Sequence, residues 1–147
     1  MRLFGTPTSF FEGLLLASTG ILACDTEAVG VDSCRKVEYS RCDAASRCPN
    51  TFGAIDPAAC RRFYRDHCLH GLPGPDPGVT KVTECVNMIA DLGECAARGQ
   101  DMTLADCSLT GTSVDPEILT ACSLIAQPEK ILTCAPFLNP PGTDAGK

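Results

Sequence analysis

Eleven cysteines, two histidines and a cluster of arginines carry most of the chemistry open to this 147-residue chain. Two near-copies of one device stand out: Cys34-Arg-Lys-Val-Glu-Tyr-Ser-Arg-Cys42 and Cys60-Arg-Arg-Phe-Tyr-Arg-Asp-His-Cys68. On a helix, cysteines at such spacing lie near one face and suit disulfide bonding to a neighbour. His67 and His70, at i,i+3 around Cys68, could offer two nitrogens to a metal with Asp66 nearby. A stable zinc site needs a third or fourth ligand, so the pair is a weak candidate, and no metal or cofactor is expected. Arg61, Arg62 and Arg65 share one side of the second copy and suit an anionic partner such as lipid head groups, or simply a solvated face. The chain lacks Gly-x-Ser-x-Gly, His-Glu-x-x-His, Gly-x-x-x-x-Gly-Lys, a dinucleotide fingerprint, an EF-hand loop and Cys-x-x-Cys. Nucleophile, base and orienting group are not presented together, so a catalytic role is not expected.

The elements that must position these residues follow from the cysteine arithmetic. Positions 34 and 68 have the same sum as 42 and 60, as two antiparallel helices require if bridges Cys34–Cys68 and Cys42–Cys60 join them face to face. The first helix is expected from a cap at Asp32 or Ser33 to about Arg47, stopped by Cys48-Pro49. Asn50 to Ile55 reads as a loop. Asp56-Pro57 then pairs an N-cap acceptor with proline at the first helical position. In this register Tyr39 opposes Phe63 and Glu38 opposes Tyr64, an aromatic seam. Glu38 and Arg41 read either as a buried polar pair at a site or, the favoured reading, as an i,i+3 ion pair at the seam edge with the arginine stem packed and its head in water.

Gly71-Leu-Pro-Gly-Pro-Asp-Pro-Gly78 admits neither a regular helix nor a central strand. Five bridge-forming cysteines precede it and five follow, so complete pairing requires a bridge across it. Thr80 to about Ala97 is the best amphipathic helix, with Val82, Cys85, Val86, Ile89 and Leu92 on one face and Gly93 loosening its last turn. Gly99 to Val114 reads as a loop, and Asp115-Pro116 as the start of a helix with Ile118, Leu119, Cys122 and Ile125 on one face. Pro128 opens a short helix, and 139–147 has the composition of a disordered tail. Nesting by elimination assigns the other bridges as Cys48–Cys107, Cys85–Cys134 and Cys95–Cys122.

Ahead of this region, Leu14 to Ala23 is too short for a membrane-spanning helix but has the length of a signal-peptide core. Ile21-Leu22-Ala23-Cys24 resembles the lipobox of bacterial lipoproteins. The resemblance covers only the first 24 residues. It implies that the leader is cleaved before Cys24, whose thiol carries a diacylglycerol and whose amine is acylated, typically with palmitate. It departs from the family pattern in a bulky Leu22 and in a weakly charged start holding both Arg2 and Glu12.

The net charge of −6 is concentrated late: Asp25 to Pro75 has seven basic and seven acidic residues, Asp76 to Lys147 four and ten. A nucleic-acid protein would need a basic stripe, so nucleic acid is not an expected partner. Cysteine abundance with few aromatics is typical of secreted domains that staple a small core in an oxidising compartment.

The expected fold is therefore all-α: disulfide-stapled helical hairpins of four to five short helices, rich in loops. The organisation is a signal peptide over 1–23, a tether over 24–32, one stapled domain over 33–138 (lobes 33–70 and 80–138 around the break 71–79) and the tail. The expected function is that of a membrane-anchored extracytoplasmic lipoprotein, on the periplasmic or cell-surface side, with a structural or binding role. The alternatives are a freely secreted effector or inhibitor, or a small enzyme using His67.

Overall fold

The structure, a computed structural model, describes residues 30–72, 74–110 and 119–138. Cys24 with its leader, the Asp115-Pro116 helix start and the tail from Asn139 lie outside the described residues. The elements run α1 (Val31–Ala45), α2 (Pro49–Phe52), α3 (Pro57–His67), a 3₁₀ turn (Cys68–His70), α4 (Val79–Arg98), α5 (Ala121–Ala126), a second 3₁₀ turn (Pro128–Lys130) and α6 (Ala135–Leu138). No strand occurs among the described residues; an isolated bridge between Thr103 and Thr120 ties the loop after α4 to the entry of α5. The fold is all-α and disulfide-stapled.

α1 is the central rod, packed on one side by α3 and on the other by α4. Its start differs from the expected cap. Gly30, with φ at 73°, takes the N-cap position, so Asp32 and Ser33 fall inside the first turn. The left-handed backbone angle favours glycine at residue 30, and a Cβ there would come within 2.6 Å of Leu72 Cδ1, so the leucine side chain would have to shift. Ser33 is thereby released from capping, and its hydroxyl donates to the Asp76 carboxylate at 3.1 Å, fastening the Pro/Gly break to the start of α1.

At the other end, Pro49 opens one turn of helix, α2, where a loop was expected. α3 starts as read: Pro57 stands first, and the Asp56 carboxylate accepts from the Ala58 amide at 2.9 Å. α4 takes in Val79 as well, shortening the break by one residue. Gly93 does not serve to loosen its end. It marks the closest approach of α1, where a Cβ would meet Ala44 Cβ at 3.1 Å and Cα at 3.2 Å. α5 begins at Ala121 under a Thr120 cap, leaving Leu119 outside the helix.

One core runs through both sides of the break. Val37, Ala44 and Ala45 of α1 meet Ile89 and Leu92 of α4, Leu124 and Ile125 of α5, then Leu104, Ile131 and Phe137. α3 contributes no buried residue. It is bolted on by Cys34–Cys68 and Cys42–Cys60. Cys85–Cys134 also pairs as expected, joining α4 to the residues before α6. The assignments Cys48–Cys107 and Cys95–Cys122 are corrected to Cys48–Cys122 and Cys95–Cys107. Nesting failed because the chain doubles back just after α4: Met102 N donates to Gly99 O at 3.1 Å, and the following turns bring Cys107 under Cys95. α5 meanwhile packs across α1 and α2, which sets Cys122 beside Cys48. Cys48 still supplies the bridge across the break.

Candidate binding cleft

The α1–α3 seam opens into a cleft of about 270 Å³, lined by Cys34, Val37, Glu38, Tyr64, His67, His70, Gly71, Leu72 and Phe137. Helix periodicity brings Cys34, Val37 and Glu38 to one side of α1, and Tyr64 and His67 to the facing side of α3. The Cys34–Cys68 bridge fixes the separation of the walls. Leu72 and Phe137 form an apolar floor. Nothing in their sequence setting announced them: Leu72 sits inside the Pro/Gly break and Phe137 just ahead of the expected tail.

Glu38 is buried, and its ion pair is tighter than a seam-edge contact. Arg41 Nη1 donates to Oε1 and Oε2 at 3.0 and 2.8 Å, and Arg41 Nε donates to the Ile125 carbonyl at 3.3 Å. The guanidinium is not in bulk water as expected, because α5 covers it: the arginine side chain is 19% exposed. Tyr64 faces this pair, as the register predicted. Its burial, and next the Glu38 carboxylate, push its phenol pKa above the ordinary 10.0, so it stays a protonated hydrogen-bonding group.

The aromatic seam with Tyr39 is corrected. Phe63 is 61% exposed, and its ring partners lie on its own helix. It stacks on His67 at 5.5 Å between ring centroids and meets Tyr64 edge-on at 5.1 Å; His67 and His70 follow edge-on at 6.4 Å. Phe63 was displaced because Tyr64, one position on, takes the inward place against Glu38.

His67 and His70 thus come to one rim. No group of three His, Cys, Asp or Glu side chains suited to a metal occurs among the described residues. Of the arginines, Arg61 pairs with Asp43 across the seam, and Arg65 Nε binds Asp66 at 2.8 Å. The Arg65 carbonyl also accepts from Arg35 Nη2 at 3.0 Å. Arg62 is exposed. The cleft offers an apolar floor and polar rings at its mouth. At about 270 Å³ it lies just below the range of sites for drug-sized ligands, so it suits a group of single-side-chain size.

The chain matches no protein-family model, and neither a curated protein nor a solved structure is significantly similar to it. The five bridges are consistent with an extracytoplasmic location. No helix among the described residues is long and apolar enough to cross a membrane.

Proposed function

We propose that the protein is a lipid-anchored, extracytoplasmic binding module. Its stapled domain is held at a bacterial membrane by acyl chains on Cys24, and it receives a small, mostly apolar group of its ligand in the Tyr64–Leu72–Phe137 cleft. The carrying observation is the cysteine account. Ten of the eleven pair within the domain, leaving over the one cysteine that ends the lipobox-like Ile21-Leu22-Ala23-Cys24. A diacylglycerol with an amide-linked chain supplies more than the marginal, reversible binding of a single acyl group.

Metabolic labelling with an alkyne fatty acid tests the anchor. Label is expected on the wild type and absent from Cys24→Ala; labelling unchanged by that substitution overturns the anchor and favours the freely secreted alternative. The small-enzyme alternative draws on His67 lining the same cleft as Glu38. Replacing His67 and His70 by alanine leaves binding on the module reading, whereas loss of a turnover activity with the fold intact supports the enzyme. Titrating indole into isotope-labelled protein checks the cleft, with amide shifts expected at Leu72 and Phe137.

A further inference from the structure

The register that pairs Cys34 with Cys68 and Cys42 with Cys60 sets Glu38 opposite Tyr64, midway between the two bridges. The α1–α3 seam is hollow on both sides of that midpoint. Toward Cys34 lies the binding cleft of about 270 Å³. Toward Cys42 and Cys60 lies a second hollow of about 90 Å³, walled by Ala45, Phe52, Ile55 and Ile125. That is several times the space one water needs, and its walls are mostly apolar. Glu38 and Tyr64 line both hollows.

The two partition residues differ in how they are held. Arg41 Nη1 binds both carboxylate oxygens of Glu38, and Arg41 Nε is fixed in turn by the Ile125 carbonyl. Arg41 lines only the second hollow, so the carboxylate is drawn to that side and its charge is compensated there. Tyr64 comes from the opposite wall, as the inward residue of a helix with no fully buried side chain. Its ring contacts, with Phe63 at 5.1 Å and His67 at 6.0 Å between centroids, are edge-on and lie within α3. The bulk between the hollows is therefore the tyrosine ring.

The walls themselves are fixed. Both bridges hold their Cα atoms 5.7 Å apart, and eight residues of α1 between them span about 12 Å. Two helices pinned at each end leave an elongated slot that does not collapse when a side chain inside it is shortened.

We infer that Tyr64 is the specificity-determining residue of the cleft: its ring stops an unbranched aliphatic chain that enters past His67 and His70, and so fixes the longest chain the site accepts. This rests on the binding reading of the cleft and names the ligand class for it. The slot shape favours a straight chain over a branched one. Val37, Leu72 and Phe137 favour an aliphatic tail, and the compensated Glu38 offers no free charge to a cationic one. The exposed imidazoles of His67 and His70 suit a hydroxyl-type head at the mouth, since each ring can donate or accept.

The test titrates straight-chain primary alcohols, from butanol to nonanol, into isotope-labelled protein with its bridges intact and follows amide shifts. In the wild type, shifts are expected at Leu72 and Phe137 but not at Ile55. Affinity should rise about fourfold for each added methylene and then level off once the tail meets Tyr64. In Tyr64→Ala the rise should continue to longer alcohols, with Ile55 now shifting. Tyr64→Phe should restore the wild-type limit, because the ring rather than the hydroxyl does the stopping. Should Tyr64→Ala lose native amide dispersion, Tyr64→Leu gives the same readout with less contact removed. Wild-type affinity that climbs through the whole series with shifts at Ile55 overturns the role of Tyr64 and leaves the cleft standing. A limit in the shortened variant equal to that of the wild type does the same. Branched isomers that bind as tightly as straight chains overturn the ligand class. Absence of shifts at Leu72 and Phe137 with every alcohol overturns the binding reading and this inference together.

Discussion

Arg41 Nη1 grips both carboxylate oxygens of Glu38 while its Nε reaches the Ile125 carbonyl, so one side chain of α1 neutralises a buried acid and receives the end of α5. Glu38 is 8% exposed, and no other cation is within ion-pair distance of it among the described residues. Arg41→Ala should therefore strand a buried carboxylate. The expected loss is about 3 kcal/mol, the low end for a broken buried pair because part of the arginine still meets solvent. Urea denaturation measures it. Glu38→Gln combined with Arg41→Met should recover most of the loss, since a neutral, well-packed replacement removes the desolvation problem together with the charge.

The bridges should rank by the loop they close. Cys48–Cys122 spans 74 residues and Cys95–Cys107 spans 12. Chain-entropy reasoning assigns roughly 4.5 kcal/mol to the first and roughly 3 kcal/mol to the second. Alanine at both members of each pair, followed by denaturant midpoints, checks the order. A non-reducing peptide map should recover the Cys48 peptide joined to that of Cys122, never to that of Cys107.

Close approach at Gly93 gives a third test. Valine there meets the Ala44 backbone as well as its methyl, so α1 and α4 must separate. The cost of Gly93→Val should be about 2 kcal/mol, within the range for overpacked cores. In a double-mutant cycle with Ala44→Gly the two changes should be non-additive, because they share one contact.

Asp106 and Tyr64 contribute to the pH response with opposite signs. Asp106 accepts from the Thr103 hydroxyl at 2.7 Å and from its amide at 2.8 Å. The hydroxyl bond first, then the amide bond, holds its pKa below the ordinary 3.8. A depressed acid stabilises the fold above its unfolded value, and the contribution is lost as pH falls through the folded value. The Tm advantage of wild type over Asp106→Asn should thus be constant above pH 3.8 and shrink below it. Tyr64 behaves in the reverse sense. Its raised pKa means that stability is full below 10.0 and is lost as pH rises through the folded value. In absorbance at 295 nm, the step missing from Tyr64→Phe should run above pH 10.0 and move down in Glu38→Gln.

Much of the frame could be read from the residues, because short-range chemistry set it. The equal cysteine sums gave the α1–α3 hairpin and both of its bridges. Asp56-Pro57 gave the start of α3, and the Val82–Leu92 periodicity gave α4. The readings that failed depended on where distant segments come to rest. The bridges of Cys48 and Cys95 were exchanged because the turn after Gly99 folds back locally, and nothing in a nested ordering encodes that. The Glu38–Arg41 pair was foreseen, but its covering by α5 was not. The cleft was half legible: Tyr64, His67 and Glu38 follow from the hairpin, whereas Leu72 and Phe137 arrive from segments whose composition signalled turns and tail.

α3 has no fully buried residue; half-buried Tyr64 is its inward contact, and two disulfides, at Cys60 within it and at Cys68 just after it, hold it against α1. Its remaining surface positions are thereby released from the packing rules that constrain every other long helix of the protein. A substitution at Arg62, Phe63 or Asp66 alters what the molecule presents to its surroundings without disturbing the fold beneath. The staples make this helix an interchangeable faceplate, open to variation at almost no structural risk.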